Sequence, residues 1–508
     1  MKFLIKTFSL LFFISICVRF VDIFKNLLVA SKLGVSDQAD VFLAISALPD
    51  SLLILFGLDS IRGIVNSEYS YEINKNSELV KQSLSNLFRI LFFVGFIISI
   101  LIVLFRNELI NLLLPGFKGN RFALASSISL IILPVFFLKP VQSLIGSYYN
   151  VLKKYYYPVL VQVSISIFII ISVFFPHING EILNNISYGF LLGNIVLFLF
   201  IFFRKEVVEN IKLSFNFKMD ELTKKIIRNC IILLGVVMIN QVYLYSRNFF
   251  VSYYSEGSVA ALNYGSSIPM FISALTFNVV FGVLLNNLSN YHSNNAQYEA
   301  RQLIKNTINS LIYIYIPIII IFCVFKINIL NILYLRGNFN ETGIELTSLP
   351  FFWESISLIP FVFFIVIVAV YLGYKEYRKY SYIGVIIYSL GIIVNYLLTK
   401  YFGFYGVSIG SFIVNSLMAI SLIYFANTIF KNLFKEFSDS FKLILIGITL
   451  TLLVVAIKSF ILDIYFLKNG LSCLLTGSII VTILYYIFTI AFKVNYFRKL
   501  SSLVRHEN

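Results

Sequence analysis

A chain of 508 residues that is 59% hydrophobic and only 13% charged carries more apolar side chain than a water-soluble fold can bury, so a soluble globular protein is excluded. The net charge of +16 raises nucleic acid as a partner, but the basic residues fall in alternate short loops between apolar blocks, which is a signature of membrane topology. Four cysteines (Cys17, Cys230, Cys323, Cys473) stand singly inside apolar blocks and read as small core hydrophobes, with no metal and no cofactor expected.

The apolar blocks run about 18 to 25 residues, which at 1.5 Å of rise per residue matches a hydrocarbon core of roughly 30 Å. The first, Phe3 to Phe24, starts basic but lacks a small-x-small cleavage site, and reads as a retained span. Spans follow at 39–62, 85–105, 122–146, 157–175 and 183–203, and a polar loop then marks the midpoint. Six more lie at 226–251, 259–288, 308–334, 346–372, 380–399 and 404–430, with a final pair at 441–462 and 469–492. The expectation is an all-α integral membrane protein of about fourteen transmembrane helices, two pseudo-symmetric six-helix lobes plus a C-terminal pair. Residues 1–210 hold spans 1 to 6, residues 211–435 spans 7 to 12, and residues 436–508 the terminal pair and tail. Lys and Arg concentrate at the termini and in the even-numbered loops, which places both termini in the cytoplasm of a multi-pass inner-membrane protein. The most basic of these loops is the central one, which suits anionic lipid headgroups.

Three local patterns recur at a displacement of about 222 residues. Lys25 to Ala30 (KNLLVA) is echoed by Arg247 to Ser252 (RNFFVS), and Leu114-Pro115-Gly116-Phe117 by Leu335 to Phe339 (LRGNF). Tyr149, Lys153 and Tyr155 are echoed by Tyr371, Lys375 and Tyr377. Six spans separate equivalent positions, so the halves enter the membrane in the same direction and a pseudo-two-fold axis along the membrane normal is expected. Such symmetry suits a transporter that rocks two lobes about a central cavity.

Ionisable residues inside spans are costly and therefore candidates for function. Arg19, Asp22 and Lys25 are spaced three apart on the first span, nearly one helical face, forming a partly self-paired polar stripe. The second span carries Asp40, Asp50, Asp59 and Arg62. Arg247 is the repeat equivalent of Lys25, and two such cations facing one another suit a phosphate or pyrophosphate. Lys139 and Glu354 are weaker candidates, and Lys458 is placed to snorkel to an interface. Arg19, Lys25, Asp40, Arg62 and Arg247 are the expected substrate-binding set, with Asp22, Asp50 and Asp59 as carboxylates for coupling to sodium or protons; the membrane potential is the other energy source. An enzyme is not expected: His177, His292 and His506 fall in loops or at the terminus, and no HExxH, GxSxG or phosphate-binding Gly-rich loop occurs.

The text from Arg19 to Ala30 (RFVDIFKNLLVA), followed by Gly34, Asp40-Val41-Phe42 and Leu48-Pro49-Asp50, resembles the MurJ/MviN family of lipid II flippases. That family belongs to the multidrug/oligosaccharidyl-lipid/polysaccharide exporter superfamily. The likeness continues in Leu114 to Phe117, in Glu256 to Tyr264 (EGSVAALNY) and in Arg336 to Phe339. The resemblance implies a V-shaped, two-lobed transporter carrying an undecaprenyl-pyrophosphate-linked saccharide from the cytoplasmic to the outer leaflet by alternating access. It also implies a cationic central cavity, a lipid-tail groove on the last two helices, and a monomer whose partners are the lipid-linked saccharide and the bilayer, not nucleic acid. By position, Arg19 and Lys25 match basic cavity residues and Asp40 the acidic residue that opens the second span. Two family arginines are replaced here, one by Leu53 and one in the stretch Gly265-Ser266-Ser267. Alternatives are a flippase of O-antigen or exopolysaccharide repeat units and a cation-coupled exporter of small amphipathic molecules.

Overall fold

The computed structural model describes residues 2–58, 60–73, 75–154, 156–176, 181–211, 219–426, 429–430, 437–459 and 470–492. Among the described residues the regular structure is entirely helical. Its first part comprises α1 (Lys2–Leu33), α2 (Asp37–Ser46), α3 (Leu48–Leu55), α4 (Ser60–Glu72), α5 (Ser77–Leu104), α6 (Arg106–Leu113), α7 (Asn120–Ile132), α8 (Lys139–Val151), α9 (Tyr156–Ser172), α10 (Ile182–Phe202), α11 (Lys205–Val208) and α12 (Glu221–Val251). The second comprises α13 (Ser258–Thr276), α14 (Gly282–Ser293), α15 (Gln297–Val324), α16 (Lys326–Tyr334), α17 (Glu341–Ile356), α18 (Leu358–Gly373), α19 (Tyr377–Phe402), α20 (Gly406–Ala426), α21 (Ser438–Ile457) and α22 (Gly470–Ala491). Ten single or end-to-end helices are long and apolar enough to cross a membrane among the described residues. The expected spans 1, 5, 7 and 8 fall on helix too, in α1, α9, α12 and α13 with α14.

Helix boundaries differ from the apolar blocks where a polar turn is built in. α5 begins at Ser77, eight residues before its apolar block, because the Asn76 side chain accepts from the Leu79 N–H and Lys81 pairs with Glu78. α12 begins at Glu221 because Asp220 caps it, accepting from the Thr223 N–H at 2.7 Å. Prolines interrupt the expected single spans. The second span is divided into α2 and α3 next to Pro49, and the fourth is interrupted by a 3-10 turn over Leu133–Phe137 that contains Pro134.

By packing, the chain divides into two compact units, residues 1–260 with 337–339, and residues 261–336 with 340–508. This criterion groups α12 with the spans before it, whereas the division at 210 follows the count of spans. The first unit has a core in which Tyr69, Leu84, Phe88, Ile145, Tyr149 and Ile201 meet Leu222, Ile226 and Cys230 of α12.

The repeat is visible inside each unit separately. In the first, the buried Tyr149 hydroxyl donates to the Ile201 carbonyl at 2.9 Å; in the second, the buried Tyr371 hydroxyl donates to the Leu422 carbonyl at 2.9 Å. Four residues after each tyrosine, Lys153 and Lys375 take φ of 59° and 60°, a left-handed conformation rare for lysine. The N–H groups of Lys154 and Glu376 close the turns onto the tyrosine carbonyls at 2.9 and 2.8 Å. The long helices α5 and α15 end at Phe105 and Phe325, and the short helices α6 and α16 lead to buried Phe117 and Phe339. α16 is 9 residues long against 8 for α6, and the one-residue insertion in the second pattern, Asn338, lies beyond the helix between Gly337 and Phe339.

Candidate functional site

The first-span stripe is assembled as its spacing predicts. Asp22 lies 3.8 Å from the Arg19 guanidinium and 3.9 Å from the Lys25 ammonium, on one face of α1. Both distances exceed a hydrogen bond, so each cation neutralises part of Asp22 without spending its donors on it. What fixes Asp22 is Ser166 of α9, whose hydroxyl donates to the carboxylate at 2.5 Å and is itself buried. The three half-buried charges sum to one positive charge, enough to attract an anion in a span where an isolated cation would be costly.

Asp40 is built differently. It is fully buried, and its two oxygens accept the backbone N–H groups of Gly257 at 2.9 Å and Ala260 at 2.7 Å. These donors sit at the start of α13, where unpaired N–H groups and the helix dipole favour a negative charge. Arg121, on the first turn of α7, stands 3.7 Å from Asp40 and 3.2 Å from Asp37, and donates to the Tyr254 carbonyl at 3.0 Å. The Asp37 N–H donates to Glu256 at 3.2 Å. The Asp40 carboxylate thus closes a contact within the first unit between the start of α2 and the connection after α12.

Around this latch the repeat supplies a crossed pair of close approaches. The Gly116 N–H donates to the Ser252 hydroxyl at 3.1 Å, and a Cβ on Gly116 would fall 2.2 Å from the Ser252 carbonyl oxygen. Correspondingly, the Asn338 N–H donates to the Ser31 carbonyl at 2.8 Å, and a Cβ on Gly337 would fall 2.1 Å from that oxygen. Only glycine permits such contact. Ser31 stands six residues after Lys25 and Ser252, the cap of α12, five after Arg247, so each candidate cation lies one to two turns before a latch residue.

The remaining predicted residues fall as follows. Asp50 of α3 is paired with Lys139 of α8 at 2.8 Å, so the weaker candidate Lys139 is the direct partner of a stronger one. Arg247 is half-buried on α12. Arg62 lies on α4, with only its backbone described, and Asp59 lies outside the described residues. Leu53 is buried, and the Ser267 hydroxyl hydrogen-bonds to the Tyr264 carbonyl and the Tyr334 hydroxyl, each at 2.8 Å, so neither position presents a charge. The Lys458 ammonium donates to the Val324 carbonyl at 3.0 Å. Arg121, Ser166, Ser252 and Glu256 were not singled out from the sequence. The one signal that pointed to Arg121 was Asp37 and Asp40 on the first turn of α2, an acidic pair needing a counter-charge.

A multi-pass helical fold with an intramembrane ion triad and a glycine-lined latch defines a membrane transporter. Among solved structures the chain is similar to one described as "Lipid II flippase MurJ, inward closed conformation", with a TM-score of 0.81 at 20% identity, covering 96% of this chain and 100% of that one. It is also similar to an inward-facing multidrug resistance MATE family transporter of the MOP superfamily, with a TM-score of 0.65 at 14% identity over 84% of this chain and 99% of that one. Relatives include probable lipid II flippases MurJ from Buchnera aphidicola subsp. Baizongia pistaciae, 24% identical over 78% of this chain and 77% of theirs, and from Vibrio cholerae, 23% identical over 83% and 82%. The family model described as "Lipid II flippase MurJ" matches residues 29–475. The chain belongs to the MurJ family, a family of transporters and not of enzymes.

Proposed function

We infer that this protein carries lipid II across the inner membrane, from the cytoplasmic to the outer leaflet, by alternating access. The observation that carries this reading is the family match over residues 29–475, which includes the Asp40 latch and Arg247. The residue chemistry supports it. Arg19, Lys25 and Arg247 receive the pyrophosphate, with Asp22 holding the first two in place until an anion arrives. The latch at Asp40 is the closed gate of one side; its opening releases Gly257 and Ala260 and admits the saccharide to the opposite face. Both termini face the cytoplasm, as the distribution of Lys and Arg requires, and the protein works as a monomer.

Asp22 and Asp50 each stand beside a cation, which argues against free carboxylates coupling an amphipath exporter and leaves the membrane potential as the simplest driving force. Each charge moved through 100 mV is worth about 2.3 kcal/mol. One observation favours a second substrate, another undecaprenyl-pyrophosphate glycan: Leu53 and Ser267 stand where two family arginines are expected, so the sugar portion meets fewer donors. Depleting the protein in its host separates the readings. Lipid II should accumulate on the cytoplasmic leaflet; normal lipid II exposure with a trapped polysaccharide precursor would select the second substrate, and no trapped precursor would reject both.

A further inference from the structure

The start of α12 is held by a buried polar cluster far along the helix from the latch. Asp220 caps α12 through the Thr223 N–H and hydroxyl, at 2.7 and 2.6 Å, and also accepts from the Asn86 amide of α5 at 2.7 Å. The Arg89 guanidinium in turn donates to Asn86 at 2.5 Å and to the Ser85 carbonyl at 3.1 Å. Ser83 and Thr223 share a hydrogen bond at 3.0 Å, and Tyr69 of α4 donates to Ser83 at 3.2 Å. At the rim, Lys225 donates to Glu68 at 2.7 Å and Asn229 to the same carboxylate at 3.2 Å. Tyr69, Ser83 and Thr223 are fully buried, Asn86 and Arg89 nearly so, and Leu222, Ile226 and Cys230 pack beside them into the core of the first unit.

The two ends of α12 are therefore bound by different chemistry. At its far end, Ser252 makes one hydrogen bond to a loop glycine and the connection beyond it is held by Asp40 through backbone N–H groups, polar contacts outside that apolar core. At its start, separation would part Leu222, Ile226 and Cys230 from the core and break the Asn86–Asp220, Ser83–Thr223 and Glu68–Lys225 contacts together, exposing apolar surface and stranding fully buried hydroxyls. We propose that the Asp220–Arg89 cluster is a permanent joint: Asp220 and Arg89 are positioning residues that keep the start of the seventh span fixed to α4 and α5 throughout transport. Movement is then taken up at the far end of α12 and in the connection leading to α13. The helix bearing Arg247 becomes a lever with one fixed end. The inference rests on the transport reading above but concerns which contacts open, not which lipid is carried.

The test is a disulfide across the joint. The side-chain oxygens of Ser83 and Thr223 are 3.0 Å apart, so cysteines there come within bonding reach. Ser83→Cys with Thr223→Cys, with Cys17, Cys230, Cys323 and Cys473 replaced by alanine, should cross-link fully on oxidation and show no loss of lipid II transport relative to the same variant reduced. Loss of transport on oxidation, restored by reductant, would overturn the proposal, as would failure of the pair to cross-link. A rim pair, Glu68→Cys with Lys225→Cys bridged by a short bis-maleimide, leaves the buried cluster intact and should be tolerated equally; arrest by that bridge would also overturn it. Because the reduced variant is the reference, a chain that carries no lipid II at all, which would contradict the transport reading, is told apart from one arrested by its cross-link.

Discussion

Two acidic residues of similar sequence context do opposite work at the residue scale. Asp22 shares its charge loosely with two cations and leaves them free to bind, whereas Asp40 is consumed by two backbone donors. Arg247→Ala should abolish transport with the amount of protein in the membrane unchanged, since the side chain is half-buried and not part of the packed core; transport by that variant would remove Arg247 from the mechanism. Asp40→Asn replaces one acceptor with a donor that faces a backbone N–H, and should weaken the latch by about 1–3 kcal/mol. The check is maleimide labelling of Ser252→Cys in purified protein, which should rise when Asp40→Asn is added and stay level if Asp40 does not hold the latch. The stripe of Arg19, Asp22 and Lys25 was legible in the sequence because its partners are three residues apart. The true environment of Asp40 was not, because its donors are backbone groups at the start of α13, 217 and 220 residues away, with no side-chain signature.

At the scale of elements, the repeat was readable because it is written in residues with special geometry. Tyr149 and Tyr371 each tie a helix end to a carbonyl, and Lys153 and Lys375 carry the same left-handed turn. Tyr149→Phe and Tyr371→Phe should each lower stability by about 1 kcal/mol, seen as similar decreases in Tm in detergent; a large difference between them would show that the two turns are not equivalent. Gly337→Ala introduces a Cβ 2.1 Å from the Ser31 carbonyl oxygen and should force the latch open, reducing transport while Gly119→Ala, with open space around it, affects transport less. Equal effects would contradict the close-approach argument. Helix boundaries were less legible. The apolar blocks located the spans, but the polar first turns of α5 and α12 and the breaks at Pro49 and Pro134 depend on caps and missing N–H groups rather than hydropathy.

For the whole molecule, the sequence announces a membrane transporter through composition and repeat, and the family match narrows the class to MurJ. Lys25 and Arg247 are cations at repeat-equivalent positions, whereas Leu53 and Ser267 are uncharged. The central claim, that this chain moves lipid II with Arg247 and the first-span cations as its pyrophosphate donors, is tested most directly by reconstitution. Purified protein in proteoliposomes, with lipid II loaded in one leaflet and a potential imposed, should expose lipid II in the other leaflet, and the Arg247→Ala protein should not. No exposure by the unaltered protein, or equal exposure by both, would contradict the account.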